Sequence, residues 1–373
     1  MVNSFRYFLV TLIVLIISTS CTSSDEQYDI IDAPLTEAEL LFEIEDSEEI
    51  LFGWISDVLM TSDGDILVAD VTRKKLHHFK EDGEFVGSYL SEGRGPGEVQ
   101  RMAGNISITN DNNVLLYDSA LRRVSLYEVT DDNLNVIRDI NLEPFPTHFH
   151  LTSEEKLILY VTPSFRPEDD PYDRIVVANL NGEILNDSLI KFEPNEQLVI
   201  YNEAGQPLMT TSSPHHSRNL ISTSNDKLIY NRSNEIGFKI FDLITGEKIA
   251  ETFLNRPNQS LSSEERRTFV DDLVERVGAG EDQKQNLVSE MPNTKGKVRM
   301  LKYDDFRGHI WLNIIDHDNT DWLIFTEGGE LVATFNENFD GHIVRIQNGN
   351  IFVSTENDDG APMLKVLQHN LNK

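Results

Sequence analysis

The chain has 373 residues, of which 39% are hydrophobic and 25% are charged, enough for a sizeable core beneath a soluble surface. Its 63 acidic residues outnumber 32 basic ones, which leaves a formal net charge of −31. The carboxylates are spread along the whole sequence, and an acidic field of this kind repels a polyanion. We therefore expect no nucleic-acid partner.

The first residues have the pattern of a secretion signal. Arg6 supplies a positive charge, and the apolar stretch over residues 8–17 is too short to cross a bilayer comfortably. Small residues then precede Cys21, the single cysteine of the chain. This segment resembles a bacterial lipobox, although Ser18 stands where leucine is commoner, and the resemblance implies that Cys21 carries a lipid. An ordinary secretory cleavage site and an uncleaved membrane anchor are the alternatives.

The same features suggest a division of the chain. We expect a lipoprotein signal peptide at residues 1–20, a flexible polar tether at 21–36 and a folded region at 37–373. The lipid on Cys21 would hold the protein to a membrane of the cell envelope, on the periplasmic side or at the cell surface. With one cysteine, the chain cannot form an intrachain disulfide.

A strand-turn-strand pattern recurs six times along the folded region, with turns rich in Asp, Asn and Gly. The second strands of the pattern are residues 66–70, 114–118, 157–160, 228–230, 309–313 and 350–354. Where no insertion intervenes, the copies are spaced by roughly 40 to 48 residues, which is room for four strands in each. This period is typical of the blades of a propeller.

The first copy shows the unit most clearly, with apolar strands at 56–60, 66–70, 76–79 and 85–89 joined by short turns. The sixth copy has three strands, and residues 40–44, ahead of the first copy, can supply the fourth. We predict an all-β fold, a six-bladed β-propeller of four-stranded antiparallel blades whose last blade is closed by this N-terminal strand. Two stacked β-sandwiches, the alternative, explain neither the repeat nor the incomplete end copies.

A glycine-rich segment, Glu92-Gly-Arg-Gly-Pro-Gly-Glu98, follows the first copy. It is similar to the Gly-x-Gly-Pro-Gly-Glu-Phe stretch of six-bladed β-propeller lipoproteins of Gram-negative bacteria, a family related to NHL-repeat proteins. Val99 stands where that family usually has Phe. The resemblance covers the chain from about residue 40 to its end, and it implies a propeller with this loop at a blade junction.

The first strand of each propeller blade lines the central channel, so polar residues near the start of these strands are candidate binding residues. Aligned on the second strands, one polar position recurs in every copy: Asp57, Asn105, His148, Asn219, Arg299 and His342. Basic side chains of the same strands and of the loops that lead to them extend the set: Arg94, His150, His216, Arg218 and Arg345.

We predict that these side chains surround the channel mouth and bind an anionic ligand, such as an acidic glycan or a peptide terminus. A guanidinium fork matches a carboxylate well, and low-dielectric channel walls strengthen the field of a local basic cluster. The alternative is that these groups pair with Asp57 and nearby carboxylates and only fill the channel.

Two insertions, residues 194–215 and 256–297, join consecutive copies on the same side as these residues. In the second, Ser262 and Glu265 have the spacing of a capping box, and apolar residues follow at helical spacing. We predict a helical insertion at about 258–292, between blades four and five, that covers the mouth as a lid. The alternative is a helix that only covers exposed blade edges.

The sequence gives little indication of catalysis or of a cofactor. It contains no Gly-x-Ser-x-Gly motif, the His148 and His150 pair has no third metal ligand at a fixed spacing, and residues 316–321 lack the glycine of a calcium loop. We therefore expect a ligand-binding or protein-interaction module without a cofactor. The alternative is a metal-dependent sugar-lactone hydrolase or lyase whose ion is held in the channel by Asp57, Asn105 and Asn219.

Overall fold

The computed structural model describes residues 33–371 except 110, 131–132, 163–170, 203, 279, 316–321 and 338. The expected signal peptide, Cys21 and the 316–321 turn lie outside the described residues.

Six antiparallel meanders make up the fold, and each begins with the strand on the inner side of its sheet. The first two strands are β1 (Leu35–Thr36) and β2 (Ala38–Ile44). They join sheets whose other strands come from the C-terminal part of the chain. Blade 1 contains β3 (Ile55–Met60), β4 (Ile66–Asp70), β5 (Lys75–Phe79) and β6 (Phe85–Tyr89). Blade 2 contains β7 (Met102–Ile108), β8 (Val114–Asp118), β9 (Arg123–Val129) and β10 (Leu134–Asn141). Blade 3 contains β11 (His148–Leu151), β12 (Leu157–Val161), β13 (Asp173–Ala178) and β14 (Ile184–Phe192).

The second half of the ring repeats this order after a hairpin of β15 (Leu198–Tyr201) and β16 (Pro207–Thr211). Blade 4 contains β17 (Asn219–Ser224), β18 (Lys227–Arg232), β19 (Ile236–Asp242) and β20 (Lys248–Leu254). Blade 5 contains β21 (Val298–Asp304), β22 (His309–Ile314), β23 (Trp322–Thr326) and β24 (Leu331–Phe335), with β1 added in parallel to β24. Blade 6 contains β25 (His342–Gln347), β26 (Asn350–Glu356) and β27 (Pro362–His369).

The N-terminal strand β2 completes blade 6 as its outer strand. It pairs antiparallel with β27, so that Phe42 lies opposite Val366 and Ile44 opposite Leu364. This pairing joins the two ends of the ring and covers the edge that β27 would otherwise expose. The predicted six-bladed propeller and its closure by an N-terminal strand are confirmed.

The core consists of apolar clusters between neighbouring blades. Between blades 1 and 2, for example, Leu67 and Leu76 pack with Val99, Leu116 and Tyr127, and all five are at most 1% exposed. The second strand of each blade is central in its sheet and is covered on both faces, which explains its nearly continuous apolar sequence. The stacked blades therefore form a rigid frame around the inner strands.

The two insertions fold against each other. Between blades 4 and 5 the chain forms α1 (Ser263–Val277), a 3₁₀ turn (Glu281–Gln283) and α2 (Lys284–Glu290). The predicted capping box starts α1, since the Ser262 side chain accepts from the Glu265 amide at 3.2 Å and the Glu265 carboxylate accepts from the Ser262 amide at 2.8 Å. One apolar cluster joins both helices to the β15–β16 hairpin: Leu198, Ile200, Leu261, Val270, Leu273, Val274, Leu287 and Met291.

The described helices are too short or too polar to span a membrane. The sequence predicted a helix in this insertion, and α2 and the packing on the hairpin are additions from the structure.

Candidate functional site in the central channel

The inner strands of all six blades enclose a channel with a volume of about 530 Å³. Its lining comes from β3, β7, β11, β17, β21 and β25 and from the residues next to their ends. A volume of this size falls within the range of roughly 300–1,000 Å³ that is usual for small-molecule sites. The channel is therefore the candidate site.

Five of the predicted site residues line the channel: Asp57, Asn105, His148, His150 and Arg345. His342 lies at its edge and stacks on Trp54, which itself lines the channel; their ring centroids are 5.6 Å apart with the planes inclined by 25°. Trp54 is 56% exposed, so one flat aromatic surface remains open at this end of the channel.

The other five, Arg94, His216, Arg218, Asn219 and Arg299, are not among the described residues that line the channel. In blades 4 and 5 the reason is strand register. In blade 1 Val58, the residue after Asp57, pairs with Val68 of the second strand. The residues at the equivalent position are Ile221 in blade 4, which pairs with Tyr230, and Leu301 in blade 5, which pairs with Leu312.

The alignment that predicted Asn219 and Arg299 was therefore wrong by one residue in each of these blades. In β21 residues 300–304 pair regularly with residues 309–313, and Arg299 lies at a bulge between Val298 and Met300. A shift of one residue moves a side chain to the opposite face of a strand, so both residues lie elsewhere. Asn219 belongs to a buried network in which it donates to Asp173 at 2.8 Å and accepts from Tyr230 at 3.0 Å.

His216 and Arg94 have local structural surroundings. His216 is 2% exposed, and its Nδ1 lies 2.7 Å from the Ser213 hydroxyl. Arg94 is exposed at the tip of the glycine-rich loop. That loop is held by Arg123 of blade 2, which donates to the carbonyl of Gly95 at 2.8 Å and to that of Glu98. The loop therefore fastens blade 1 to blade 2.

Asp57 and Arg345 form a two-point ion pair across the channel wall. Arg345 donates from Nε and Nη2 to the two Asp57 oxygens at 2.9 and 2.7 Å, and the amides of Val58 and Ile106 donate to the same carboxylate. Burial lowers the pKa of Arg345, but Asp57 and Asp305 together raise it by more, so that the net shift is upward. The guanidinium fork predicted to grip a ligand is thus occupied by Asp57, as in the alternative that the sequence left open.

A second channel cation, Lys302, was missed at the sequence level. Its ammonium donates to the carbonyl of Val344 at 2.7 Å, and no carboxylate of the described residues lies within 4.0 Å of it. Burial lowers the pKa of Lys302 to about 8, with Asp57 raising it in part and Arg345 lowering it further. Lys302 is therefore charged at neutral pH but close to its titration point.

The signal for Lys302 was present in the sequence. It stands between Leu301 and Tyr303, so strict alternation places it on the face opposite two large apolar side chains. The alignment missed Lys302 because it took Arg299 as the polar position of this strand.

Both channel histidines have a lowered pKa, which favours the neutral form of the ring. His150 donates from Nε2 to the carbonyl of Asn225 at 2.8 Å, and burial lowers the pKa of its ring. The His148 ring is open to the channel and has no hydrogen-bond partner among the described residues, and its removal from bulk water lowers its pKa as well. Among the described lining residues, the cations at neutral pH are therefore Lys302 and Arg345.

The donor set of the metal-dependent alternative is not assembled. In the described part of the chain, no group of three or more His, Cys, Asp and Glu side chains is arranged to hold a metal ion. Asp57 is bound to Arg345, Asn105 donates to the Phe149 carbonyl at 3.1 Å, and Asn219 lies outside the channel lining.

The insertions contribute no described residue to the channel lining. Their apolar cluster lies between the hairpin and the two helices, and the inner strands form the channel without them. The lid function expected for residues 258–292 stays a prediction.

Comparisons with known proteins agree with this architecture. Residues 41–204 match the model of a family, DUF5128, described as a 6-bladed beta-propeller. The sequence matches no curated protein. A Bacteroides fragilis protein whose name describes it as exported is 11% identical, with a TM-score of 0.59 over 92% of this chain and 98% of that chain. A DUF4221 family member from Bacteroides vulgatus is also 11% identical, with a TM-score of 0.58 over 91% of this chain and 100% of that chain. By its own blades and by these likenesses in fold, the chain is a six-bladed β-propeller.

Proposed function

We propose that the protein is a lipid-anchored binding protein of the cell envelope that holds a small carboxylate-bearing ligand in its central channel. The observation that carries this proposal is the Lys302 ammonium, which faces a channel of about 530 Å³ without a carboxylate partner among the described residues. The chain has 63 acidic and 32 basic residues, so a buried cation without a carboxylate partner among the described residues is unexpected from its composition.

The energetics favour an anionic occupant. A cation withdrawn from water is costly unless an opposite charge and hydrogen bonds compensate it. Arg345 is already neutralised by Asp57, whereas Lys302 has only a backbone carbonyl. A ligand carboxylate beside Lys302 would offset this cost, with the neutral His148 ring available as a further hydrogen-bond donor.

The rest of the lining supports a polar, ring-shaped ligand. Hydroxyl-bearing residues of several blades line the channel, among them Ser56, Ser107, Ser222 and Thr223. The exposed indole of Trp54 at the entrance offers a flat surface for the apolar face of a ring. A uronic-acid-type sugar combines a carboxylate, hydroxyls and such a face, so we favour an acidic glycan over a peptide terminus.

The proposed location depends on the N-terminal segment. The lipobox-like residues before Cys21 support lipid anchoring, and the fold-related Bacteroides fragilis protein is named as exported. A Cys21→Ser variant is expected to move from the membrane fraction to the soluble fraction, and mass spectrometry of the wild-type N-terminal peptide is expected to show the lipid. A wild-type protein that is soluble and unmodified in its native cell would contradict the anchor.

Calorimetric titration of the purified folded region tests the binding proposal. Galacturonate and glucuronate are compared with the corresponding neutral sugars and with acidic peptides, and we expect binding that requires the carboxylate. Lys302→Met should weaken it at least tenfold. Lys365→Met, which removes a lysine paired with Glu43 on the outer strand of blade 6, and Arg299→Ala, outside the channel, are the matched controls. No affinity for any of these anions, or equal affinity in the Lys302 variant, would overturn the proposal.

A further inference from the structure

A second, much smaller cavity lies where the helical insertion leaves and rejoins the ring. We call this region the stem; it consists of residues 256–259, after blade 4, and 295–297, before blade 5. The cavity has a volume of about 50 Å³ and is lined by Arg256, Lys295 and Lys297 together with uncharged residues. None of its described lining residues is acidic.

The backbone holds the stem in place. The amide of Lys295 donates to the Gln259 carbonyl at 2.9 Å, and the amide of Lys297 donates to the Ser233 carbonyl of blade 4 at 2.9 Å. Between them Gly296 approaches the first insertion so closely that a Cβ there would lie 2.6 Å from the Pro214 carbonyl oxygen. The three cations are thus brought together by fixed backbone rather than by flexible surface loops.

Two of the three stem cations, Arg256 and Lys297, have no ion pair with a described residue. The Arg256 guanidinium has no hydrogen bond or ion pair with any described residue, and burial lowers its pKa. Lys297 donates to the Arg256 carbonyl at 2.8 Å without a carboxylate partner, and burial lowers its pKa as well. Lys295 has an acidic neighbour, Glu265 of α1, at 3.1 Å, and the charge of Glu235 partly opposes the lowering of the Lys297 pKa. Arg256 and Lys297 themselves have no carboxylate within ion-pair distance among the described residues.

We infer that the stem cavity binds a compact oxyanion, a phosphate, sulfate or carboxylate group, between Arg256, Lys295 and Lys297. Such a group accepts hydrogen bonds from a guanidinium fork and from ammonium groups at once. The cavity exceeds the roughly 10–15 Å³ that a single water needs. At about 50 Å³ against about 530 Å³ for the channel, it holds a group and not a sugar ring.

The stem site is independent of the proposed function, because its lining shares no residue with the channel. An anion bound there would join residues on both sides of the insertion to the ends of blades 4 and 5. Its consequence would be a more firmly attached pair of helices.

Thermal unfolding in inorganic phosphate and in sulfate tests the inference, with sodium chloride at matched ionic strength as the reference. Saturating phosphate, at about 100 times its dissociation constant, should raise the wild-type Tm by about 4 °C above the chloride reference. Arg256→Ala should lose this increment, whereas Arg267→Ala, which removes an exposed arginine of α1, should keep it. Arg256→Gln, which retains most of the side chain, is the second variant if the alanine variant does not fold.

The outcomes separate the two sites. Lys302→Met should retain the full phosphate increment, since it alters only the channel. Acetate in a parallel titration distinguishes a tetrahedral oxyanion, for which phosphate and sulfate act and acetate does not, from a carboxylate, for which acetate acts too. The inference would be overturned if the wild-type Tm rose no more in any of these anions than in chloride. It would also be overturned if both Arg256 variants showed the same rise in Tm as the wild type.

Discussion

The central channel and the stem cavity both place cations inside a strongly acidic protein, but they are built differently. In the channel, the inner strands of six repeated blades supply the lining, and Asp57 neutralises one of the two cations. In the stem, two connecting segments outside the repeat supply three cations, and the described residues that line the cavity include no carboxylate. The repeat thus produces a wide channel in which one cation is paired and one is not, whereas the insertion produces a narrow cavity lined by three cations.

Paired and unpaired charges have different roles in the two regions. The Asp57–Arg345 pair is part of the ring itself, because the same carboxylate accepts from the amides of Val58 and Ile106 on two blades. Lys302 and Arg256 carry charges that the described residues leave uncompensated. Removal of a charge of the Asp57–Arg345 pair should therefore lower stability, whereas removal of the Lys302 or Arg256 charge should weaken ligand binding.

The largest effect is expected for Asp57→Ala. It leaves Arg345 without its partner and the two amides without an acceptor, so the free energy of unfolding should fall by about 3–5 kcal/mol. Denaturant unfolding measures this loss. Asp305→Ala, which removes a channel carboxylate that accepts from Ser224, is the control and should cost clearly less. Equal losses would show that the ion pair has no special part in closing the ring.

Lys302→Met should have the opposite effect on stability. The pKa of Lys302 is lowered from 10.5 to about 8, so the folded state disfavours the charged form. Below pH 8 this cost is fully present, and it disappears as the pH rises towards 10.5. The methionine variant should therefore be more stable at pH 7 by up to about 3 kcal/mol, and the difference should shrink at high pH. A variant less stable than the wild type at pH 7 would contradict the buried ammonium.

The affinity for a carboxylate ligand should follow the same titration. If only the ammonium form of Lys302 binds, the ligand should bind about tenfold more weakly at pH 9 than at pH 7. Lys302→Arg keeps its charge and should show a flat profile over this range. Calorimetric titration at both pH values compares them, and a wild-type profile as flat as that of the arginine variant would exclude Lys302 as the binding cation.

The smallest effect is expected in the stem. In buffer free of phosphate, sulfate and carboxylates, Arg256→Ala has no described partner to lose, and its free energy of unfolding should change by no more than about 0.5 kcal/mol. A large loss of unfolding free energy under these conditions would mean that Arg256 already has a structural partner, as Arg345 has in Asp57.

The sequence alone determined the architecture. The six-fold repeat, the strand at 40–44 that completes blade 6 and the capping box from Ser262 to Glu265 are all read from neighbouring residues. Strand alternation and capping depend on spacings of two to four residues, so a single sequence contains them in full.

Only the tertiary structure decided which charges meet. Asp57 and Arg345 are 288 positions apart and are joined because the ring closes between blades 6 and 1. The register of β21 leaves Arg299 outside the described channel lining and places Lys302 in it. The stem cavity combines segments on both sides of two helices. Pairing of this kind depends on strand register and on ring closure, and neither leaves a local pattern in the chain.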